Sequence, residues 1–201
     1  MIFIKIPTIV INSITIALML ITTFAVERIR ANKQKTKFRW LNIILSVVAG
    51  TLLFLFFTEP LVIFKNFLFV QVMLYASNQD FNEHQVDDYI YPMICMLSLV
   101  FFNYANFVTM IVGALALFII QMIVFFACKG SFIGGADVKF TTACGFFLGL
   151  TRGFVGTIIG LLIAIIVNMI IQKVHKEKKN QPFPLVPYLS IGMFIGIFFV
   201  F

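Results

Sequence analysis

From Phe107 to Ala127 the chain runs for twenty-one residues without a charged side chain. At about 1.5 Å of rise per residue, a helix of that length reaches across the roughly 30 Å of hydrocarbon in a bilayer. Apolar runs of the same character recur along the chain: Ile6 to Val26, Leu41 to Phe57, Leu61 to Ala76, Tyr89 to Phe102, Phe140 to Leu150, Phe154 to Ile171, and a last one ending at Phe201. Inside a bilayer every backbone N–H and C=O needs a partner within the protein, which leaves helices or a closed barrel, and runs this long select helices. The expected fold class is all-α, a polytopic integral membrane bundle of about eight transmembrane helices. Composition agrees: 61% of the 201 residues are hydrophobic, 11% are charged, and the mean hydropathy is +1.05, outside the range of a soluble domain. Residues 1–201 therefore read as a single membrane-embedded domain.

The net charge of +7 would suit nucleic acid, but the basic residues occupy short segments between apolar runs. They read as topology signals, and no nucleic-acid partner is expected. Residues 27–39 hold six Lys or Arg against one Glu, which keeps that segment cytoplasmic under the positive-inside rule. Carried through all the spans, twelve of the fifteen Lys and Arg fall on the inner side and only Lys5, Lys65 and Arg152 lie near the outer one. The first run lacks a small-residue cleavage site and reads as a retained span. Turns are expected at Thr58-Glu59-Pro60, Asn103-Tyr104-Ala105-Asn106 and Thr151-Arg152-Gly153. Gly145, Gly149, Gly156 and Gly160 form small-xxx-small pairs that let helix backbones approach where lipid supplies no hydrophobic drive. Cys95, Cys128 and Cys144 have neither CxxC nor metal-ligand spacing and read as small apolar packers.

An ionisable group held at membrane depth marks a functional site by default. The stretch Ile133-Gly134-Gly135-Ala136-Asp137-Val138-Lys139 puts a carboxylate directly after small residues, between two apolar runs. Of the eight acids, four more lie in the segment from Asn78 to Pro92, which has no Lys or Arg: Asp80, Glu83, Asp87 and Asp88. Asp80 and Asp137 fall at the cytoplasmic ends of the third and fifth spans. Two aspartates brought together at a bilayer boundary cannot both ionise cheaply, because low dielectric and like charge raise one pKa. The ionised member can then take a proton from water attacking a carbonyl carbon, while the protonated member polarises the carbonyl oxygen and supplies the leaving amine. Gly134, Gly135 and Ala136 would let a substrate backbone approach the carboxylate. Lys139 either anchors its helix at the interface or holds Asp137 ionised.

Other chemistries find less in the residues. His84 and His175 lie in no Ser or Cys arrangement that would make a serine or cysteine peptidase. Asp80, Glu83, His84, Asp87 and Asp88 are possible metal ligands, but no HExxH-like signature accompanies them, and neither a metal nor a cofactor is expected. A small ion-coupled transporter would use membrane acids as a relay; it calls for inverted repeats and acids near mid-bilayer, and both aspartates lie at span ends.

These residues resemble the type IV prepilin and preflagellin peptidases. Gly134-Gly135-Ala136-Asp137-Val138-Lys139 is similar to that family's GxGD motif, with Ala136 in place of its second glycine. His84-Gln85, Asp87-Asp88 and Tyr91-Pro92 follow the order of the family's other aspartate-containing motif, although the loop is about one residue short and lacks a proline before the acid. Gln181-Pro182-Phe183-Pro184-Leu185-Val186-Pro187-Tyr188-Leu189 is similar to the entry of its last span. The resemblance covers roughly Phe38 to Phe201.

By position, the resemblance implies that Asp80 and Asp137 are the catalytic pair of an aspartic endopeptidase of the inner or plasma membrane. Such an enzyme removes the short basic leader of prepilin-like or pseudopilin proteins at the cytoplasmic face while the substrate's hydrophobic helix stays in the bilayer. Glu83, Asp87 and Asp88 would attract that leader by complementary charge. Residues 27–39 are too short for the cysteine-motif insertion that many bacterial members carry, so N-methyltransferase activity is not expected. A non-catalytic relative acting as a pilus or secretion assembly partner is the remaining alternative.

Overall fold

The computed structural model describes residues 8–33, 40–100, 104–127, 133–174 and 183–199. Eight α-helices and no strand occur among them: α1 Thr8–Lys33, α2 Trp40–Phe56, α3 Pro60–Glu83, α4 Ile90–Leu99, α5 Tyr104–Ala127, α6 Gly135–Leu148, α7 Leu150–Val174 and α8 Val186–Ile197. The all-α expectation and the helix count are met. Three stretches, Pro60–Glu83, Phe107–Ala127 and Leu150–Lys173, are long and apolar enough to cross a membrane, and the chain is a membrane protein. Lys5, Asn103, Cys128, Lys129-Gly130-Ser131, His175, Gln181 and Pro182 lie outside the described residues, as do most of the two basic segments, at 34–39 and 175–182.

Four boundaries differ from the expectation. Of the turn expected at Asn103-Tyr104-Ala105-Asn106, the last three residues are already helical, since α5 begins at Tyr104 and nothing in Tyr-Ala-Asn prevents a first helical turn. The first apolar run continues as helix into its basic flank, and the helix survives there because Arg30 does not stay in water. Its guanidinium bonds to Glu27 one turn back, with an Nε–Oε2 distance of 2.9 Å, and both residues are buried. The third helix passes Ala76, where the apolar run ends, and continues to Glu83, since nothing between Ser77 and Glu83 breaks a helix. Asp80 therefore stands inside its last turns. It ends at His84, which takes the left-handed conformation (φ 52°) usual for a residue just past a helix, its N–H bonding to Asp80 O at 2.9 Å.

The turn expected at Thr151-Arg152-Gly153 is a correction. Those residues are helical, and the chain turns four residues earlier than Gly153, at Gly149 alone. Gly149 has φ 80°, which a side chain would resist, and its N–H and C=O still bond within the chain, to Gly145 O at 2.9 Å and from Gly153 N at 3.0 Å. With 14 residues, α6 rises only about 21 Å, short of the roughly 30 Å of hydrocarbon.

The chain divides into two compact units, Met1–Tyr75 and Ala76–Phe201, with the boundary inside α3. In the first, Asn42 of α2 donates Nδ2–H to Glu27 Oε2 of α1 at 2.8 Å, and Gln71 donates to Thr23 Oγ1 at 3.3 Å. In the second, α6 is the central helix, packing against α4, α5, α7 and α8. The glycines make that packing possible. A Cβ on Gly113 would lie 2.6 Å from the Gly149 backbone, and one on Gly160 would lie 2.8 Å from Leu189 Cα. Gly156 and Gly160 of α7 face Gly192 of α8, the close approach that small-xxx-small spacing allows.

Candidate active site

Asp137 is set by the start of α6. Gly134 is the residue before the helix, in extended conformation (φ −84°, ψ 162°). Asp137, three residues on, folds its carboxylate back so that Oδ2 accepts the Gly134 N–H at 2.8 Å. A carboxylate in a helix's first turn satisfies an otherwise unpaired donor and meets the positive end of the helix dipole. The side chain is buried, whereas Gly134 and Gly135 are exposed and Ala136 is half-buried. A Cβ added to Gly135 would meet nothing within 4 Å, so packing does not require that glycine.

Asp80 is held by a different helix. Pro184 and Pro187 flank the start of α8 and carry no N–H, and the N–H groups of Tyr188 and Leu189 both bond to Leu185 O at 3.1 Å. The Leu185 and Val186 N–H groups are left pointing outward; both bond to the Asp80 carboxylate, whose Oδ2 accepts the Val186 N–H at 3.0 Å. One turn earlier on α3, Ser77 Oγ donates to Ser190 Oγ of α8 at 2.9 Å, which fixes the register of the two helices. Each aspartate thus has Oδ2 committed to a backbone donor at a helix N-terminus, and both are buried in the same unit.

The two carboxylates are near enough for the charge of Asp80 to act on Asp137. Asp137 lies in the first turn of α6, ahead of the apolar run beginning at Phe140 and outside the long membrane-crossing helices. Burial, with the charge of Asp80 adding to it, pushes its carboxyl up to about 7, although the Gly134 N–H pulls the other way.

The remaining candidates surround this pair without joining it. Lys139 donates to Asp88 Oδ1 at 2.7 Å, and its ammonium sits 5.7 Å from the Tyr91 ring centroid. It thus takes its partner from the acidic segment rather than from Asp137. Glu83 and Asp88 are exposed, while Asp87 is half-buried with its N–H donated to Gln79 Oε1 at 3.1 Å. No group of three or more His, Cys, Asp or Glu side chains able to hold a metal occurs among the described residues. Cys144 is buried, Cys95 is half-buried, and both are free thiols.

Two residues appear in the sequence motifs without a role there. Val186 supplies a donor to Asp80, with the Leu185 N–H also bonding to that carboxylate, and the signal was the proline spacing, Pro184 and Pro187, which brackets these two N–H groups at the start of α8. Tyr91, buried with its hydroxyl 3.4 Å from Val86 O, feels the charges of Asp88, Asp137, Asp80 and Asp87 together. The sequence placed it at the Tyr91-Pro92 end of the aspartate-containing motif, but nothing local showed that it also meets the distant Asp137.

All-helical architecture, membrane-length apolar helices and a buried pair of aspartates define a membrane protein with an acidic internal site. Residues 67–171 match the model of the type IV leader peptidase family. The match covers just over half of the 201 residues, and the chain belongs to that family. It includes Asp80 and Asp137 and stops short of Val186. No curated protein and no solved structure matches the chain.

Proposed function

We propose that the chain is an aspartic endopeptidase of the cell membrane that removes the short basic leader from prepilin-like substrates, with Asp80 and Asp137 as the catalytic pair. One observation carries the reading: two buried carboxylates from distant segments, each anchored through Oδ2 by a backbone N–H, lie within electrostatic reach of one another. Structural acids in an apolar setting are normally met by a cation. The one lysine of the motif, Lys139, is instead bound to Asp88.

In the proposed reaction the pair holds one proton. The ionised aspartate takes a proton from water as its oxygen bonds to the scissile carbonyl carbon, and the protonated one donates to the carbonyl oxygen. Collapse of the tetrahedral intermediate breaks the C–N bond, and the amine leaves with a proton returned through the pair. With both Oδ2 atoms held by backbone donors, the Oδ1 edges are the ones to work on water and substrate. The exposed Gly134-Gly135 surface beside Asp137 gives an extended peptide room to approach.

Orientation follows from charge. Placing the basic segments inside puts the site at the cytoplasmic face, where Glu83, Asp87 and Asp88 draw in a Lys- or Arg-rich leader. The substrate's hydrophobic helix remains in the bilayer, the whole chain serves as one peptidase domain, and N-methylation is not part of its activity. Family membership favours this reading over an ion-coupled transporter.

The test is processing of a co-expressed type IV prepilin by Asp80→Asn and Asp137→Asn variants at equal protein levels. Each is expected to lose about 10²–10⁴-fold in cleavage rate, the usual contribution of a general acid or base. Full processing by either variant would remove that residue from the mechanism.

A further inference from the structure

The backbones of α5, α6 and α7 come closest at a cluster of small residues. Gly113 of α5 lies against Gly149 and Leu150, while Leu117, one turn on, lies against Gly145 and Gly153. This pairing makes α5 and α6 antiparallel, with Gly145 and Gly153 placed symmetrically about the turn at Gly149. One turn beyond the cluster, away from Gly149, the helix register places Gln121 on α5, Thr141 on α6 and Thr157 on α7. All three are buried, with exposures of 1%, 0% and 4%.

Gln121 is the anomaly of this layer. Neither its Nε2 nor its Oε1 has a hydrogen-bond partner among the described residues. A buried carboxamide that bonds to nothing is strongly penalised, and α5 has no shortage of apolar residues that would fill the position. The threonine hydroxyls are committed as donors, Thr141 Oγ1 to Asp137 O and Thr157 Oγ1 to Gly153 O, each at 2.8 Å. Their oxygens keep acceptor capacity, and Gln121 offers two N–H donors and an acceptor. A small molecule that both accepts and donates can join these groups, and water is the one that buried polar sites ordinarily hold.

We propose that Gln121, Thr141 and Thr157 bind a water molecule inside the α5–α6–α7 interface, one turn from Asp137. Because the Thr141 hydroxyl also bonds to the Asp137 carbonyl, this water ties α5 to the first turn of α6, where Asp137 is held. The inference concerns packing within the second unit and stands whether or not Asp137 is catalytic.

The test is a double-mutant cycle on the full chain in detergent, with Gln121→Met, Thr141→Val and the pair, read by thermal unfolding. Each single change is expected to lower Tm by about 2–4 °C. The double variant should lose little more than the larger single, because both remove the same bridge. A Tm that Gln121→Met leaves unchanged or raises would mean a dry carboxamide better replaced, and additive losses would mean no shared bridge; either overturns the proposal. Should the variants fail to fold, the wild-type protein decides alone. A density map that resolves ordered water is expected to show one within about 3.2 Å of Gln121 Nε2 or Oε1, and a dry site or a direct protein bond overturns it.

Discussion

The two units bury charge in opposite ways. In the first, Glu27 and Arg30 are both withdrawn from solvent one turn apart, and the carboxylate also takes a bond from Asn42. In the second, Asp80 and Asp137 are withdrawn with backbone N–H groups for partners and another carboxylate in reach. The side chain that acts on Asp80 with the opposite sign, His84, is exposed rather than buried beside it. A carboxylate with its own cation is accounted for by the fold. A pair of like charges is not, since separating them or replacing one by a neutral residue would cost the fold less, and that difference is what points to chemistry in the second unit.

The sharpest way to break this contrast is to neutralise one acid from each unit. Glu27→Gln leaves Arg30 buried beside a neutral amide, and breaking a buried pair in this way costs about 3–5 kcal/mol. Asp137→Asn should leave stability unchanged or raise it at neutral pH while cleavage is lost. Chemical denaturation in detergent, run beside the processing assay, measures both. A destabilised Asp137→Asn protein with normal cleavage would reverse the assignment of structural and functional acid.

The next effect is in pH. The Asp137 carboxyl is raised from an ordinary 3.8 to about 7 by burial first, with the charge of Asp80 adding and the Gly134 N–H opposing. Between those values the folded protein keeps a proton that the unfolded chain releases, so stability from this group is complete below about pH 4, declines as pH rises toward 7 and is flat above. Unfolding midpoints taken from pH 4 to 8 should follow that decline in the wild type, and Asp137→Asn should remove this part of it. An unchanged slope in the variant would mean that some other group titrates there.

How far the chain could be read in advance follows the same division. Apolar runs and charge placement determine where helices form, because each span must be long, uninterrupted and flanked by polar residues, and these are local properties. The aspartates stood out for the same reason, as charges beside apolar runs. What stayed hidden depends on distant partners. The Val186 donor is 106 residues from Asp80, and the Lys139–Asp88 pair spans 51. Arg30 looked like a solvated topology signal because the sequence does not display Glu27 and Asn42 closing around it. The turn after α6 was misplaced by Thr151-Arg152-Gly153, polar residues that suggest a loop. The actual break needed only the positive φ of Gly149, one glycine among twelve.

Glycine substitutions sharpen the comparison at smaller amplitude. A Cβ on Gly145 would sit 2.7 Å from Leu117 Cδ1 and 2.9 Å from Gly113 O, so Gly145→Ala should destabilise by about 1–3 kcal/mol, as overpacking does. Gly135→Ala meets nothing and opens a helix, so stability should hold or improve by about 0.5–1 kcal/mol. If the surface beside Asp137 admits a peptide backbone, Gly135→Ala should nevertheless slow cleavage. Unimpaired processing by a well-folded Gly135→Ala protein would mean that the substrate approaches from elsewhere.

The smallest effect belongs to the rim. Lys139 and Asp88 are bonded at 2.7 Å, but their side chains are 58% and 80% exposed, and such pairs contribute only about 0–1 kcal/mol. Asp88→Asn should therefore barely move the unfolding midpoint. A basic leader must compete with Lys139 for Asp88, so losing Asp88 alone removes little attraction. Neutralising Glu83 as well should raise KM for a basic leader at low salt, with kcat unchanged and the difference fading as screening grows. KM that ignores both substitutions and salt would separate the acidic rim from recognition and leave the buried pair as the part of this surface that acts on substrate.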